Sequence, residues 1–330
     1  MLDKNIKQPL VSILTPTWNR ADYLEKVWNG IVEQDYKNVE WIVGNDGSTD
    51  DTFKTIKFLA KKSKFPVRLI DSNIRIGKSR IDNLLMRNAN GELLIWNDSD
   101  DFLLPSALST LVKAWLNIPE NKRQNYLGVM AQCISTDGII QGKNFDTQLN
   151  IVDETYEEFS SKTSGDATII IPAKSISNKS FLEVDFLITE SSLWSDVFKN
   201  KRLLYLPKVL KVMDRQAPGS VSFGKKLQYT RGMAYGIAIA ENQDRFANRS
   251  LLVKCSLIVR YWRYCIHGEL GFMFTKKMWG ITRNQFWPLL LYPVGYLISV
   301  IDVMRKKVEK THREFDLAVK DAHIEISQLN

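Results

Sequence analysis

The sequence predicts an α/β protein built on a mostly parallel sheet with helices on its faces. Four short apolar runs alternate with helix-like segments through the first hundred residues. Alternating strand and helix patterns favour parallel strands joined by right-handed helical crossovers. Polar clusters follow three of the four runs, and ligands on such sheets bind at the carboxyl ends of the strands. The same pattern therefore predicts the fold class and the position of a binding site.

Each predicted strand is a short run of apolar, often β-branched residues bounded by turn residues. The first elements are strand Leu10–Leu14, helix Tyr23–Gln34, strand Val39–Val43, helix Asp51–Lys64, strand Val67–Ile70, helix Gly77–Asn90 and strand Leu93–Trp96. Helix Pro105–Asn117, the apolar runs Leu127–Ile134 and Ala167–Ile171, and helix Thr189–Lys199 follow. Helices are also predicted in the stretches Lys226–Asn242 and Leu251–His267, and the charged tail Val308–Asn330 has the spacing of a projecting or self-associating helix.

These patterns divide the chain into three regions. Residues 1–101 hold the regular alternation, residues 102–225 are less regular, and residues 226–330 are predicted to be helical. At 330 residues the chain is long enough for one large α/β domain or two smaller ones, with ample apolar content for a core.

Composition narrows the class of partner. The formal charge of +8 favours an anionic partner, but no compact basic strip interleaved with aromatic residues occurs in the first 220 residues, so no nucleic-acid partner is expected. The three cysteines and three histidines have no zinc-ligand spacing and indicate a reducing compartment. The N-terminus has no long apolar segment typical of a secretory signal, so we expect a cytoplasmic location.

An acidic cluster follows the strand Leu93–Trp96, in the run Asn97-Asp98-Ser99-Asp100-Asp101. Carboxylates this close repel one another and raise one another's pKa unless a cation or strong donors hold them. Carboxylate oxygens suit Mg²⁺ or Mn²⁺. The alternative is an acidic turn that caps the next helix, since Asp and Ser are favoured in both places.

A second polar run, Asn45-Asp46-Gly47-Ser48-Thr49-Asp50, follows the second predicted strand. Gly47 permits a tight turn, and the Asp46 carboxylate is suited to accept hydrogen bonds from a nucleobase or a ribose. The alternative is an Asx turn with an N-cap for the following helix.

Four motifs together, in order, resemble the family 2 inverting glycosyltransferases of the GT-A fold, of the bacterial cell-envelope polysaccharide type. They are Thr15-Pro-Thr-Trp-Asn-Arg20, the run Asn45–Asp50, Gly77-Lys78 with Asn83, and the run Asn97–Asp101. The resemblance covers about residues 9 to 222. It implies a GT-A sheet with a helical C-terminal extension, in which residues 1–101 bind the nucleotide-sugar donor and residues 102–225 bind the acceptor.

The resemblance also implies a role for each motif residue. Substrate binding is expected from Thr15, Asn19, Arg20, Asp46, Lys78, Asn83, Asp98 and Arg215. Asp98 and Asp100 match the DxD motif, in which Asp100 coordinates Mn²⁺ or Mg²⁺ and Asp98 faces the ribose or sugar beside the metal. Such an ion stabilises the leaving nucleoside diphosphate as a Lewis acid.

The acceptor hydroxyl must lose its proton as it attacks, so a carboxylate base is needed. Glu190, in Leu187-Ile-Thr-Glu-Ser-Ser-Leu-Trp194, resembles the acidic residue before a Leu-Trp helix in this family. Many members have Asp after that Glu, whereas this chain has Ser191. The alternative is that Glu190 only complements a helix start, and Asp185 and Asp196 are weaker candidates for the base.

The C-terminal region holds an apolar stretch at 284–301 without charged residues, interrupted by Pro288, Pro293 and Gly295 and flanked by basic clusters. Three interpretations are open for this stretch: interfacial docking on a membrane, a helical cap or oligomer interface, and a transmembrane helix. The resemblance favours a peripheral protein on the inner face of the cytoplasmic membrane, with possible homo-oligomers through the C-terminal helices.

The function implied is a metal-dependent inverting transfer of a sugar from a nucleotide donor, UDP-linked, to a glycan or lipid-linked acceptor. A nucleotidyltransferase is the first alternative, but it predicts a glycine-rich phosphate loop after the first strand, which Thr15–Arg20 lacks. A non-catalytic glycan-binding scaffold is the second, because Ser191 departs from the commoner pattern.

Overall fold

The computed structural model describes residues 8–142, 150–163, 165–188, 190, 193–194, 197–215, 230–242, 249–271, 287–305 and 322–330. Its strands are β1 Val11–Thr17, β2 Val39–Asp46, β3 Val67–Ser72, β4 Leu93–Trp96, β5 Asp101–Leu103, β6 Tyr126–Ser135, β7 Val152–Thr155, β8 Ala167–Pro172, β9 Arg202–Met213 and β10 Ile324–Gln328. Its helices are α1 Leu24–Val32, α2 Thr52–Lys62, α3 Lys78–Arg87, α4 Ala107–Asn117, α5 Glu120–Arg123, α6 Tyr156–Lys162, α7 Thr230–Asn242, α8 Leu251–His267, α9 Trp287–Leu290 and α10 Tyr292–Met304.

The strands form one mixed sheet in the order β10-β3-β2-β1-β4-β8-β6-β9-β5, with β7 also paired to β9. Strands β3, β2, β1 and β4 are parallel neighbours, as predicted for the first region. Beyond β4 most pairings are antiparallel, except that β6 and β9 run parallel. The fold class is therefore the predicted α/β sheet flanked by helices, with its parallel part confined mainly to the N-terminal half.

The order of the parallel strands creates a switch point beside β1. The chain runs outward from β1 through β2 to β3 and then returns to place β4 on the other side of β1. Loops that leave β1 and β4 consequently diverge, which opens a crevice at their carboxyl ends. The motifs after β1, β2 and β4 all lie at this edge.

Burial explains why the first four strands are recognisable from the sequence. Every residue of β1 and of β2 is buried, so both read as continuous apolar runs broken only by polar residues near their ends. Helices α1, α2 and α4 bury one apolar face each against this sheet. The predicted bounds of β4 and of α8 match those observed.

The prediction of a helical tail is wrong for its last residues. Ile324–Gln328 form the edge strand β10, antiparallel to β3. The Asn330 side chain accepts a hydrogen bond from the backbone N–H of Val67 (2.7 Å) and donates to the carbonyl of Ala60 (2.8 Å). Pairing to an open sheet edge satisfies backbone groups that helical spacing alone does not reveal. Residues 308–321 of that tail lie outside the described residues.

The chain divides into two compact units. The first comprises Met1–Ser180, Val197–Phe223 and Ala318–Asn330 and contains the whole sheet; the second comprises Phe181–Asp196 and Gly224–Leu317. The second unit has its own small core, in which Ala234 and Ala238 of α7 pack with Ile258, Trp262 and Cys265 of α8. Within the described residues, none of the helices has the length and apolar character needed to cross a membrane.

Candidate functional site

The candidate site lies in the first unit, where β1 pairs with β2 on one side and with β4 on the other. Thr17 of β1 pairs with Asn45 of β2, and Leu14 pairs with Trp96 of β4. The loops that follow these strands are therefore brought to one edge, although they are up to about eighty residues apart in the sequence.

Asn19 ties the first loop to the second. Its backbone is left-handed (φ 51°), a conformation that Asn tolerates better than most residues. Its backbone N–H donates to Ser48 Oγ (2.9 Å), and its Oδ1 accepts the backbone N–H of Thr49 (2.8 Å). The predicted binding residue Asn19 thus fixes the shape of both loops.

Arg20 connects the same loop to the acidic cluster. Its backbone N–H donates to Thr52 Oγ1 (2.8 Å) at the start of α2. Its Nη2 lies 3.6 Å from Asp100 Oδ2, and both side chains are largely buried. This contact places a fixed positive charge beside the carboxylate that is predicted to bind metal.

Asp46 anchors the loop before α3. Its carboxylate accepts the backbone N–H groups of Ile76 (2.6 Å) and Gly77 (3.0 Å), and Arg75 Nε lies 3.9 Å away. Burial raises the pKa of Asp46 even though these donors act to lower it. The alternative that Asp46 caps the following helix is therefore wrong: the N-cap residue of α2 is Asp51, and the residue before it, Asp50, accepts the Thr52 N–H (3.0 Å).

An aromatic surface lies next to Asp46. The guanidinium carbon of Arg75 is 3.6 Å from the ring centroid of Trp18, a distance typical of stacking. Trp18 follows β1 directly, so this stacked pair is held at the edge where the three loops meet. The sequence reasoning did not single out either residue.

Lys78 lies at the start of α3 and faces two carboxylates. Its Nζ is 2.9 Å from Asp82 Oδ2, one helical turn away, and 3.5 Å from Asp98 Oδ1. Trp96 Nε1 donates to Asp82 Oδ1 (3.1 Å), so the indole at the end of β4 holds the same carboxylate. This network aims the Lys78 ammonium toward the acidic cluster.

The acidic cluster itself leads into a strand and not into a helix. Asp101 is the first residue of β5, and its backbone N–H donates to the Asp98 carbonyl (3.0 Å) in a tight turn. The alternative that these residues cap the next helix is therefore wrong, because α4 begins only at Ala107. The turn packs the three carboxylates close together.

Lys211 is a third residue at this site that the sequence pattern did not indicate. It lies on β9, opposite Leu103 of β5, and its Nζ is 2.7 Å from Asp101 Oδ2 and 3.5 Å from the Trp96 carbonyl. Burial alone would lower the pKa of Lys211, but Asp101, Cys133 and Asp98 together outweigh it and raise that pKa. The only sequence signal is a charged residue in the strand-like run Val209-Leu210-Lys211-Val212.

The three aspartates of the cluster differ in the direction of their pKa shifts. For Asp98, burial acts to raise the pKa, but the cations of Lys78 and Lys211 outweigh it and the pKa is lowered. Burial and the charge of Asp98 raise the pKa of Asp100 despite Arg20. Burial raises the pKa of Asp101 to about 7, against the effect of Lys211.

Asp98 and Asp100 fit a divalent cation. Asp98 Oδ1 is buried and, within the described part of the chain, accepts no hydrogen bond. Its contact with Lys78 Nζ is an ion pair at 3.5 Å, and a charged carboxylate oxygen is the type of ligand that Mg²⁺ and Mn²⁺ bind. In the described part of the chain no three His, Cys, Asp or Glu side chains are arranged to hold a metal ion, so an ion at Asp98 and Asp100 would take its other ligands from substrate and water.

The remaining predicted residues are placed as follows. Thr15 is buried on β1, where its Oγ1 accepts a hydrogen bond from Trp41 Nε1 (3.0 Å), and Asn83 is buried on α3. Arg215 forms an ion pair with Asp166 at the end of β9. Glu190 is exposed and belongs to the second unit, where its carbonyl accepts the backbone N–H groups of Leu193 (3.1 Å) and Trp194 (3.2 Å). Ser191 and Asp196 lie outside the described residues, and the role of Glu190 stays a prediction.

Two solved structures share this architecture. The crystal structure of S. aureus TarS 1-349 in complex with UDP-GlcNAc has a TM-score of 0.57 at 14% identity, covering 90% of this chain and 83% of that one. The mannosyltransferase PcManGT from Pyrobaculum calidifontis in complex with GDP-Man and Mn²⁺ has a TM-score of 0.54 at 18% identity, covering 93% and 84%. The sheet with polar loops at the ends of β1, β2 and β4 is thus the GT-A glycosyltransferase fold, and the predicted fold class is confirmed.

The sequence comparison narrows the class to a family. The Glycosyl transferase family 2 model matches residues 12–148. The GalNAc(5)-diNAcBac-PP-undecaprenol beta-1,3-glucosyltransferase of Campylobacter jejuni is 29% identical over 221 residues, 66% of this chain and 68% of that protein. An uncharacterized glycosyltransferase of Haemophilus influenzae is 33% identical over 98 residues, 30% of this chain and 39% of that protein. Residues 12–148 thus match glycosyl transferase family 2, and the predicted resemblance to this family and the predicted hexosyltransferase enzyme are confirmed.

Proposed function

We propose that the protein transfers a hexose from a UDP-linked donor to a hydroxyl of a glycan or lipid-linked acceptor, with inversion at the anomeric carbon. The observation that carries this proposal is the convergence of Arg20, Lys78 and Lys211 on the acidic cluster at the ends of β1 and β4. Breaking a sugar–phosphate bond leaves a diphosphate of growing negative charge, and preorganised cations stabilise that charge most.

The donor is expected to lie along the three loops at this edge. The Trp18–Arg75 stack offers a flat surface beside Asp46, suited to a nucleobase. Lys78 and Arg20 lie on the side of the acidic cluster, where the diphosphate would follow. The two similar structures are complexes with UDP-GlcNAc and with GDP-Man, which supports a nucleotide-sugar donor.

Asp98 and Asp100 would hold the Mg²⁺ or Mn²⁺ ion. When bound, the ion would stabilise the leaving diphosphate as a Lewis acid. Asp101 is held by Lys211 and would support the turn that presents the other two carboxylates. Asp98 would also face the ribose or the sugar.

Glu190 would accept the proton of the acceptor hydroxyl as its oxygen attacks the anomeric carbon. The bond from that carbon to the phosphate oxygen breaks as the new glycosidic bond forms, so the configuration inverts. The name of the Campylobacter jejuni relative includes an undecaprenol-linked acceptor, which supports a lipid-linked acceptor in cell-envelope polysaccharide synthesis. Such an acceptor is expected at the inner face of the cytoplasmic membrane.

Calorimetry with UDP, with and without Mn²⁺, tests the donor and metal assignments. We expect Asp100→Ala to lose the metal-dependent part of UDP binding, while Asp35→Ala, an exposed acid outside the site, binds as the wild type does. Retention of the full Mn²⁺ effect in Asp100→Ala would remove the metal assignment.

A matched measurement tests the base. Glu190→Gln should bind UDP with wild-type affinity but lose turnover of nucleotide sugar, because the carboxamide cannot take a proton. Unchanged turnover would exclude Glu190 as the base and leave the donor site unaffected.

A further inference from the structure

Helix α10 packs within the second unit through its small and polar residues. Its buried residues are Gly295, Ser299 and Asp302, whose spacing of four and three residues places them on one face. A side chain at Gly295 would put a Cβ only 2.6 Å from the Cβ of Trp262 on α8, so the two helices meet closely there. The inward face of α10 is therefore suited to close approach and not to apolar burial.

Polar contacts complete this inward face. Asp302 accepts a hydrogen bond from Arg263 Nη2 (2.8 Å), forms an ion pair with Arg263 Nε, and lies 3.2 Å from His267 Nε2. Ser299 Oγ donates to the Gly295 carbonyl (2.8 Å). Each of these polar side chains on the inward side has a partner within the same unit.

The outward face of α10 is apolar instead. Leu297, Val303 and Met304 are 59%, 61% and 77% exposed. The same face includes Val294, Tyr296 and Val300. A surface helix normally buries its apolar side and exposes its polar side. The reversed arrangement indicates that the outward side of α10 contacts an apolar medium or partner.

The charges at the end of the helix indicate which partner this is. From 305 to 313 the sequence has five basic residues and one acid, and the basic residues are Arg305, Lys306, Lys307, Lys310 and Arg313. Basic residues that follow an apolar helix in the sequence complement anionic lipid headgroups.

We propose that the outward face of α10 docks on the surface of an anionic lipid bilayer, with the helix lying along the interface. Tyr296 suits this position because its ring is apolar and its hydroxyl is polar. The inference rests on the proposed function in one respect, since it would hold the enzyme where a lipid-linked acceptor lies.

Vesicle sedimentation with the full chain tests the surface. The vesicles contain phosphatidylglycerol and phosphatidylcholine in equal parts, or phosphatidylcholine alone. The variant replaces three exposed apolar residues with Gln, Leu297→Gln, Val303→Gln and Met304→Gln. The control makes the same change at three residues of the first unit that are also more than half exposed, Phe58→Gln, Ile139→Gln and Ile151→Gln.

We expect the wild type and the control to bind anionic vesicles, and the α10 variant to bind at least about tenfold more weakly. Arg305→Gln with Lys306→Gln and Lys307→Gln should weaken binding by a similar factor at low salt, and added salt should reduce the binding of the wild type. Equal binding by the α10 variant and the control would overturn the proposal. Binding that is equally strong to phosphatidylcholine alone would also contradict the role of the basic residues.

Light scattering distinguishes docking on lipid from self-association through this face. A wild-type dimer in solution that becomes monomeric in the α10 variant, without vesicle binding by either, would assign the face to self-association and refute docking on lipid. UDP binding by calorimetry is measured on the same variants and should be unchanged. If the wild type binds vesicles but does not bind UDP, the docking surface is supported and the proposed function is rejected. The two proposals can therefore fail independently.

Discussion

Replacing Lys211 with Met tests whether the buried cation on β9 supports the acidic cluster. Methionine keeps the length and apolar volume of the side chain but removes the ammonium group that lies 2.7 Å from Asp101 Oδ2. The carboxylate of Asp101 is then left without its ion-pair partner, close to two further aspartates. The substitution therefore isolates the charge from the packing.

The expected cost follows from burial. Only 7% of the Lys211 side chain and 4% of the Asp101 side chain are exposed, so solvent screens the pair weakly. Removing one partner of such a buried pair costs up to about 3–5 kcal/mol of unfolding free energy, because Asp101 then either stays desolvated and unpaired or takes up a proton. The double variant Lys211→Met with Asp101→Asn removes both charges and should cost only about 1–2 kcal/mol.

Urea unfolding of the wild type, both single variants and the double variant measures these free energies. Circular dichroism and Trp fluorescence are followed together, because coincident transitions justify one free energy of unfolding for each variant. Lys211→Arg serves as the conservative control and should recover part of the loss. UDP binding in the presence of Mn²⁺ should weaken in Lys211→Met, because the turn that presents Asp98 and Asp100 loses its support.

Two results would refute this reasoning. The first is a loss below about 0.5 kcal/mol in Lys211→Met, which is the range of ordinary surface substitutions. The second is a double variant that loses the sum of the single losses, since independent effects would mean that Lys211 and Asp101 do not interact.

Two further predictions concern stability. Gly47→Ala should cost about 2 kcal/mol or more of unfolding free energy, because φ is +64° and the new Cβ would lie 2.2 Å from the backbone carbon of Ile74. The control Gly138→Ala, where φ is +83° but the space is open, should cost about 1 kcal/mol. Equal losses of unfolding free energy in urea would contradict the clash. At Asp302, burial acts to raise the pKa, but hydrogen bonds from Arg263 and His267 lower it below its ordinary value. The charged carboxylate therefore stabilises the fold at pH values above its unfolded pKa, which is near 4. This stabilisation is lost as the pH falls through the lower pKa of the folded state. Asp302→Asn should therefore lose about 1–3 kcal/mol at pH 7, a difference that closes on acidification; a constant difference across a pH series of urea titrations would show that the charge is not responsible.

The first half of the fold is predictable because its signals are local. Strands β1 to β4 are largely buried, so each appears as an apolar run, and polar loops follow three of them at the carboxyl ends. Parallel pairing then brings those ends to one edge whatever the details of packing. The order of strands and helices along the chain is therefore enough to place the motifs around Asn19, Asp46 and Asp100 together.

Pairing beyond β4 is not predictable in the same way. Strand β9 is the longest of the described strands, yet Pro207 and interspersed charges hide it in the sequence. It pairs with β6 in parallel and with β5 and β7 in antiparallel, and such partners are chosen by distant segments. The same reasoning explains β10, whose short run between polar residues gives a weak strand signal and which is ordered by the open edge of β3.

The sequence by itself determined the family resemblance, the parallel strands and the acidic cluster, because these depend on residues near one another in the chain. Only the tertiary structure decided that Lys211, about 110 residues after Asp101, neutralises that cluster from a neighbouring strand. The structure also decided which side of α10 faces inward. The sequence around Gly295, Ser299 and Asp302 is compatible with burial of either face. In the folded unit, Trp262, Arg263 and His267 contact the side that carries Gly295 and Asp302. Charge compensation and the choice of a helix face depend on contacts between distant segments, and the local pattern of a sequence does not encode them.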